Sequence, residues 1–243
     1  MKLLISVLIV LLFSASAFAF EDPTEGKPFF PWLWEDQFKP TIVNSFDTVG
    51  MGIFAVGATA TVAARQYDQT IFNHNQTEED RILEHHTADF GGLVGSGGPG
   101  VMIAVAQLFF DQQNGLQHSR AIALTAVTHI TMAGLIQRNR PSGRNYLSFP
   151  SGHASSSFAT ASSLAYSYGW KVGVPAYALA SFVAISRVNE NIHWFSDVVA
   201  GAALGIYWGH ASATVNPNNK KSDLTIMPIP TEDGGMISMQ MSW

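Results

Sequence analysis

Phe149–Tyr168 reads FPSGHASSSFATASSLAYSY. Ser151 stands where a helix N-cap belongs, and the small-residue run behind it reads as a helix. The first amides of a helix have no partner within it, so Gly152 and His153 would present their N–H groups outward. A helix start of this kind binds phosphate oxygens. Gly152 lets the backbone come close to an anion. His153, on the same turn, is placed to protonate a leaving alkoxide.

Two further segments flank this one. Upstream, Arg138-Asn139-Arg140-Pro141 is expected to end a helix, because Pro141 cannot continue the ladder and restricts the residue before it. Downstream, Ser186-Arg187 is followed by His193 and then by Asp197. His193 and Asp197 are four apart, which on a helix puts both on one face. The carboxylate could then accept from Nδ1 and leave Nε2 bare to attack. Each segment alone has a plainer reading: Arg140 a cationic helix end, Ser151 a simple cap, His193 and Asp197 a surface pair or two ligands of a metal. No third ligand stands at a suitable spacing near that pair. Together the three supply a nucleophile, an acid and two planar cations, Arg140 and Arg187, for in-line displacement at phosphorus. A site with two guanidinium forks and a helix N-terminus has little need of a cation, so no metal and no cofactor are expected.

The order RP, PSGH and SR-x5-H-x3-D resembles the type 2 phosphatidic acid phosphatase superfamily, which also includes bacterial non-specific acid phosphatases and vanadium haloperoxidases. The resemblance spans roughly residues 120–210. It implies an all-α helical bundle. It also implies that His193 is a nucleophile forming a phosphohistidine, that Asp197 orients it and that His153 protonates the leaving group. Arg140, Ser151, Gly152 and Arg187 would bind phosphate. One position departs from the pattern. The family's Lys, seven residues before the Arg of RP, is here Ala133. Arg144 and Arg138 are the favoured substitute cations, with Gln137 and His129 as further candidates. The resemblance implies a phosphatase for phosphomonoesters or lipid (di)phosphates. The alternatives are a vanadate-dependent haloperoxidase and a non-catalytic envelope protein that binds phosphate head groups.

The rest of the chain bounds location and partners. Residues 1–19 read as a secretory signal peptide, with Lys2, an apolar run and Ala17-Phe18-Ala19 before the cleavage site; a retained anchor is the alternative. Cleavage there leaves 12 Lys+Arg against 18 Asp+Glu, which argues against nucleic acid. The expected location is exported, periplasmic, with membrane-surface association. There is no cysteine, so packing must supply stability. Charged residues are only 13% of the chain, yet the apolar stretches Thr41–Ala64, Pro99–Phe110, Ala121–Ile136 and Val198–Ala213 are short or interrupted by polar residues. They read as buried core helices rather than membrane spans. Residues 20–40 read as an irregular aromatic lead-in, 41–215 as the helical domain, and Gly91–Gly100 as a hinge. The polar stretch Gln66–Asp89 reads as solvated helix and loop; its Asn75-Gln76-Thr77 matches a glycosylation pattern. In the tail, 216–243, Leu224–Ile229 and Met236–Met241 flank a turn and predict a β-hairpin.

Overall fold

A computed structural model describes residues 22–77 and 79–217 in full and the backbone of 224–231 and 234–241. The expected signal peptide lies outside the described residues. These residues form ten α-helices: α1 (Phe29–Trp32), α2 (Lys39–Asn44), α3 (Thr48–Arg65), α4 (Asp68–His74), α5 (His85–Val94), α6 (Gly98–Phe110), α7 (Gln112–Ile136), α8 (Gly152–Tyr168), α9 (Trp170–Asn189) and α10 (Phe195–Ala213). The chain is thus an all-α bundle. The tail hairpin is present as two antiparallel strands, β1 (Leu224–Thr231) and β2 (Gly234–Met241), with Leu224 opposite Met241 and Thr231 opposite Gly234.

Helix α8 is the hub. It packs on α7, α9 and α10, while α10 also packs on α3 and α7, α6 on α7, and α5 on α9. The closest contact is between α8 and α10. Gly201, Gly205 and Gly209 recur every four residues and form one bare stripe along α10. A Cβ at Gly201 would meet the Ser151 carbonyl, one at Gly205 the Ser155 carbonyl, and one at Gly209 the Ser162 side chain. Small residues on both sides let the two backbones touch. Two buried serines of α8 are satisfied: Ser155 Oγ donates to the Ser151 carbonyl at 2.8 Å, and Ser162 Oγ bonds Tyr177 Oη at 2.8 Å.

Several expectations are corrected. The helix before Arg138-Asn139-Arg140-Pro141 ends at Ile136, not at Pro141, because Gln137 turns left-handed at φ 49°. The lead-in is helical from Phe29 to Asn44, with a π-helical stretch at Leu33–Phe38 between α1 and α2. Its prolines fall in first turns or beside the π-helical stretch, where a missing N–H costs little. Trp32 is buried, whereas Phe29, Phe30 and Trp34 are exposed. Gly91–Gly100 does bend the chain, with Gly97 at φ 85° between α5 and α6. It also packs: a Cβ at Gly91 would strike Ser186, and one at Gly92 the Arg187 guanidinium. Asn75 is buried and donates to the Val188 carbonyl at 3.2 Å, which leaves no room for a glycan.

The apolar stretches are also corrected. Four segments are long and apolar enough to cross a membrane: Thr48–Arg65, His85–Phe110, Gln112–Ile136 and Trp170–Asn189. Their large side chains point outward; Val62 is 75% exposed, Phe110 74% and Leu135 79%. Asn44 and Asp47 precede α3 instead of interrupting it, and the glycine bend joins α5 and α6 into one long apolar segment. Val198–Ala213 is the exception, since much of α10 is buried in the bundle. If the glycine stripe sets the α8–α10 distance, Gly205→Val should lower stability by at least about 2 kcal/mol, read as a lower melting temperature in detergent.

Candidate active site

The end of the bundle where α7 and α9 stop and α8 and α10 start gathers the predicted residues. His193 lies in the loop before α10, not on a helix. Its Nδ1 is 2.7 Å from the Ser148 carbonyl and 3.8 Å from Asp197 Oδ2. The expected direct bond to Asp197 is therefore replaced by one to Ser148. A carbonyl only accepts, so Nδ1 carries the hydrogen and Nε2 presents its lone pair. Burial holds the His193 imidazole below its ordinary range, with Asp197 pulling the other way and Arg140 adding to the depression. The ring is thus neutral and nucleophilic near neutral pH.

Asp197 is fully buried at the third position of α10. Its Oδ2 accepts from Ser148 Oγ at 2.5 Å and from the Trp194 amide at 2.9 Å, and its Oδ1 accepts from Arg138 Nη1 at 2.6 Å. Burial alone would raise its carboxyl, but the nearby His193 ring, the Ser148 hydroxyl, the Arg138 charge and the Trp194 amide bring it below the ordinary value. Asp197 therefore holds the loop on both sides of His193: Ser148 before it and the start of α10 after it.

Asp68, at the start of α4, completes this layer and was not foreseen in the sequence. It accepts from Arg138 Nη2 at 2.6 Å, from the Ser196 amide at 2.8 Å and from Ser196 Oγ at 2.7 Å. The Arg138 guanidinium also lies 5.4 Å over the Trp194 ring, whose Nε1 donates to the Asn139 carbonyl at 2.7 Å. Asp68 carried no signal of its own, since its partners are about 70 and 128 residues away. Ser148 stood beside the PSGH segment but looked like loop.

Across from His193, Ser151 caps α8, accepting from the Ala154 amide at 3.4 Å, as its position in the sequence predicts. Its own amide donates to the Asp197 carbonyl at 2.9 Å. The Gly152 and His153 amides, in the first turn, are left for a ligand. The His153 ring lies 6.5 Å from the His193 ring, centroid to centroid. It makes no hydrogen bond among the described residues. Burial lowers it to about 4, and the charges of Arg187, His193, Arg140 and His129 add to that. Arg140 is held by Asn145 Oδ1 at 3.0 Å and by the Leu147 carbonyl at 3.3 Å. Arg187 is buried, with Nη2 donating to the Ala88 carbonyl and Nε to Ser186 Oγ at 3.1 Å. Both guanidinium charges act on His153, so the site is cationic and suited to a phosphate.

The substitute cations fare differently. Arg138 faces Asp68 and Asp197, so it braces the site from behind. Arg144 is exposed in the loop after Pro141. Gln137 bends back to the Gly134 carbonyl at 3.1 Å. Ala133 is buried. His129, one turn earlier on α7, has its ring against Gly152: a Cβ there would lie 2.7 Å from Cε1 and 2.8 Å from Nε2. The Gly152 requirement is therefore imposed by His129 as well as by any anion. Away from this site, His85, Asp89 and Glu190 meet near the surface, but both His85 nitrogens face carboxylates, at 2.9 Å and 3.4 Å.

Residues 111–221 match the family model described as the PAP2 superfamily. Over 75 residues the chain is 45% identical to a lipid A 1-phosphatase of Porphyromonas gingivalis, and over 72 residues 38% identical to a lipid A 4'-phosphatase of Helicobacter pylori. Each match covers 30% of this chain, and 17% and 35% of those relatives. The fold is shared with LpxE of Aquifex aeolicus (TM-score 0.51, 20% identity, 61% of this chain and 93% of that one). It is also shared with a transmembrane PAP2-type phosphatidylglycerolphosphate phosphatase of Bacillus subtilis (TM-score 0.56, 20% identity, 70% and 97%).

Removing Asp68 leaves Arg138 and Ser196 short of a partner in a mostly buried layer. Asp68→Ala should cost about 3 kcal/mol, measured by thermal unfolding in detergent. His153 gives a pH test. Its folded value of about 4 lies below the roughly 6.5 of an unfolded chain, so its contribution is complete above that value and is lost as pH falls toward 4. Melting temperature should drop over this window, and His153→Gln should flatten the drop.

Proposed function

We propose that this chain, which belongs to the PAP2 superfamily through residues 111–221, is a membrane-bound phosphatase of lipid phosphates acting through a phosphohistidine on His193. One observation carries the reading: His193, with Nε2 freed by the Ser148 carbonyl, faces His153 at the start of α8. Nε2 attacks phosphorus, an N–P bond forms, and the P–O bond to the lipid breaks. His153 gives its proton to the departing alkoxide. Water then attacks the phosphohistidine, His153 takes its proton, and phosphate leaves with His193 restored. Arg140, Arg187 and the Gly152 and His153 amides hold the equatorial oxygens; burial and then the neighbouring cations disfavour the His153 proton, and a bound dianion offsets the cations.

The lipid class rests on place. The site lies at one end of helices able to cross a membrane, where a head group would lie. Two of the relatives named above are lipid A phosphatases. The signal-like start favours a periplasmic site, with soluble phosphomonoesters as the second substrate class. Ala133 favours one other reading, a head-group binder without turnover.

His193→Ala should reduce phosphate release from phosphorylated lipids by at least about a thousandfold. Undiminished release would overturn the assignment. Acid-labile label from a phosphorylated substrate should appear on wild type and not on His193→Ala. Activity should survive chelator and fall with vanadate. Binding with no release would favour the head-group binder, and halide oxidation with vanadate and peroxide would mark a haloperoxidase.

A further inference from the structure

We infer that His129 supplies the phosphate contact that the family's Lys would make at Ala133, so that phosphate affinity in this chain depends on pH. The inference rests on the phosphatase reading of the site. Ala133 is buried and its methyl can donate nothing. His129 precedes it by one turn of α7 and so lies on the same face. Its ring rests on Gly152, the first residue of α8, where the unpaired amides of the phosphate cradle begin. Among the described residues, neither ring nitrogen has a hydrogen-bond partner. The charged and titratable groups that act on it are His193 and Arg140, and it acts in turn on His153. These are the nucleophile, a phosphate-binding cation and the acid of the proposed reaction, so His129 is within the field of the bound phosphate.

The other cations do not fill this place. Arg138 is spent on Asp68 and Asp197, and Arg144, exposed in the loop after Pro141, acts on Arg140. An imidazolium can donate to a phosphate oxygen as an ammonium does, with one difference. Histidine titrates near neutral pH, at about 6.5 when unperturbed, whereas lysine stays charged to about 10. A bound phosphate dianion favours the protonated ring, so the His129 contact forms when phosphate and proton bind together and weakens as pH rises. A lysine at the same place would hold it throughout.

The test is the binding of inorganic phosphate to the full chain in detergent, by calorimetry, at about pH 6 and pH 8. Binding needs no turnover, so this outcome is separate from that of His193→Ala. His129→Ala and His129→Gln should each weaken phosphate by about tenfold at the lower pH and change it little at the higher one. His129→Lys should bind as tightly as wild type at the lower pH and lose most of the weakening at the higher one. The ionisation of phosphate itself affects all variants alike and cancels in the comparison. If His129→Ala does not fold, the His129→Gln and His129→Lys pair decides. His129→Gln within about twofold of wild type at the lower pH would overturn the inference, as would a His129→Lys variant with the wild-type pH dependence. Wild type that fails to bind phosphate at all would overturn the phosphatase reading together with this one.

Discussion

Everything at the site depends on how closely α8 and α10 approach. Both helices begin at the same end of the bundle, and each carries half of the chemistry at or just before its first turn. The stripe Gly201–Gly205–Gly209 allows the backbones to meet, and the first of these contacts is made by the Ser151 carbonyl at the cap of α8. The Ser151 amide closes the same contact by donating to the Asp197 carbonyl at 2.9 Å. The distance between His153 and His193 is thus fixed by backbone packing one residue from each half of the site. Side chains on α8 or α10 could change a great deal without altering that distance, whereas one methyl at Gly201 would.

A second layer fixes the direction of the His193 ring, the proposed nucleophile. Asp197 spends both oxygens on partners other than His193 and instead holds Ser148, whose carbonyl then orients the ring. Arg138 balances Asp197, and Asp68 balances Arg138. This chain of alternating charges is nearly closed to water, which removes the usual screening and makes each partner necessary to the next. Arg138 is on this account a structural cation, while Arg140, two residues on, is half-buried and acts on His153 and His193. The sequence RNRP holds two arginines with opposite tasks, and alternation after the end of α7 separates them.

The parts of this arrangement that were legible in the sequence are the local ones. Ser151 as a cap, Gly152 and His153 in the first turn, and the His193–Asp197 spacing all follow from short-range rules, and the motif order pointed to the helical bundle. The parts that were not legible join distant segments. Asp68 is tied to Ser196 across 128 residues, and nothing near it marks that role. The same is true of the spans. Asn44, Asp47 and His129 made their segments look too polar for a membrane, yet the first two lie before α3 and the third points into the bundle at Gly152. Polarity counted along a window does not distinguish a residue facing lipid from one facing a site.

That distinction also explains the composition of the spans. A helix that crosses a membrane and borders a catalytic end needs an apolar outer face and a polar inner one. α7 shows both: Val127, Ile130 and Leu135 are exposed, while Ala133 and His129 turn inward. Position 133 lies one turn nearer the end of α7 than His129, but its methyl offers a phosphate nothing. An imidazole one turn earlier reaches Gly152 directly and leaves only a methyl at 133. The close contact that this arrangement requires is at Gly152, where only a residue without a side chain leaves room for the His129 ring.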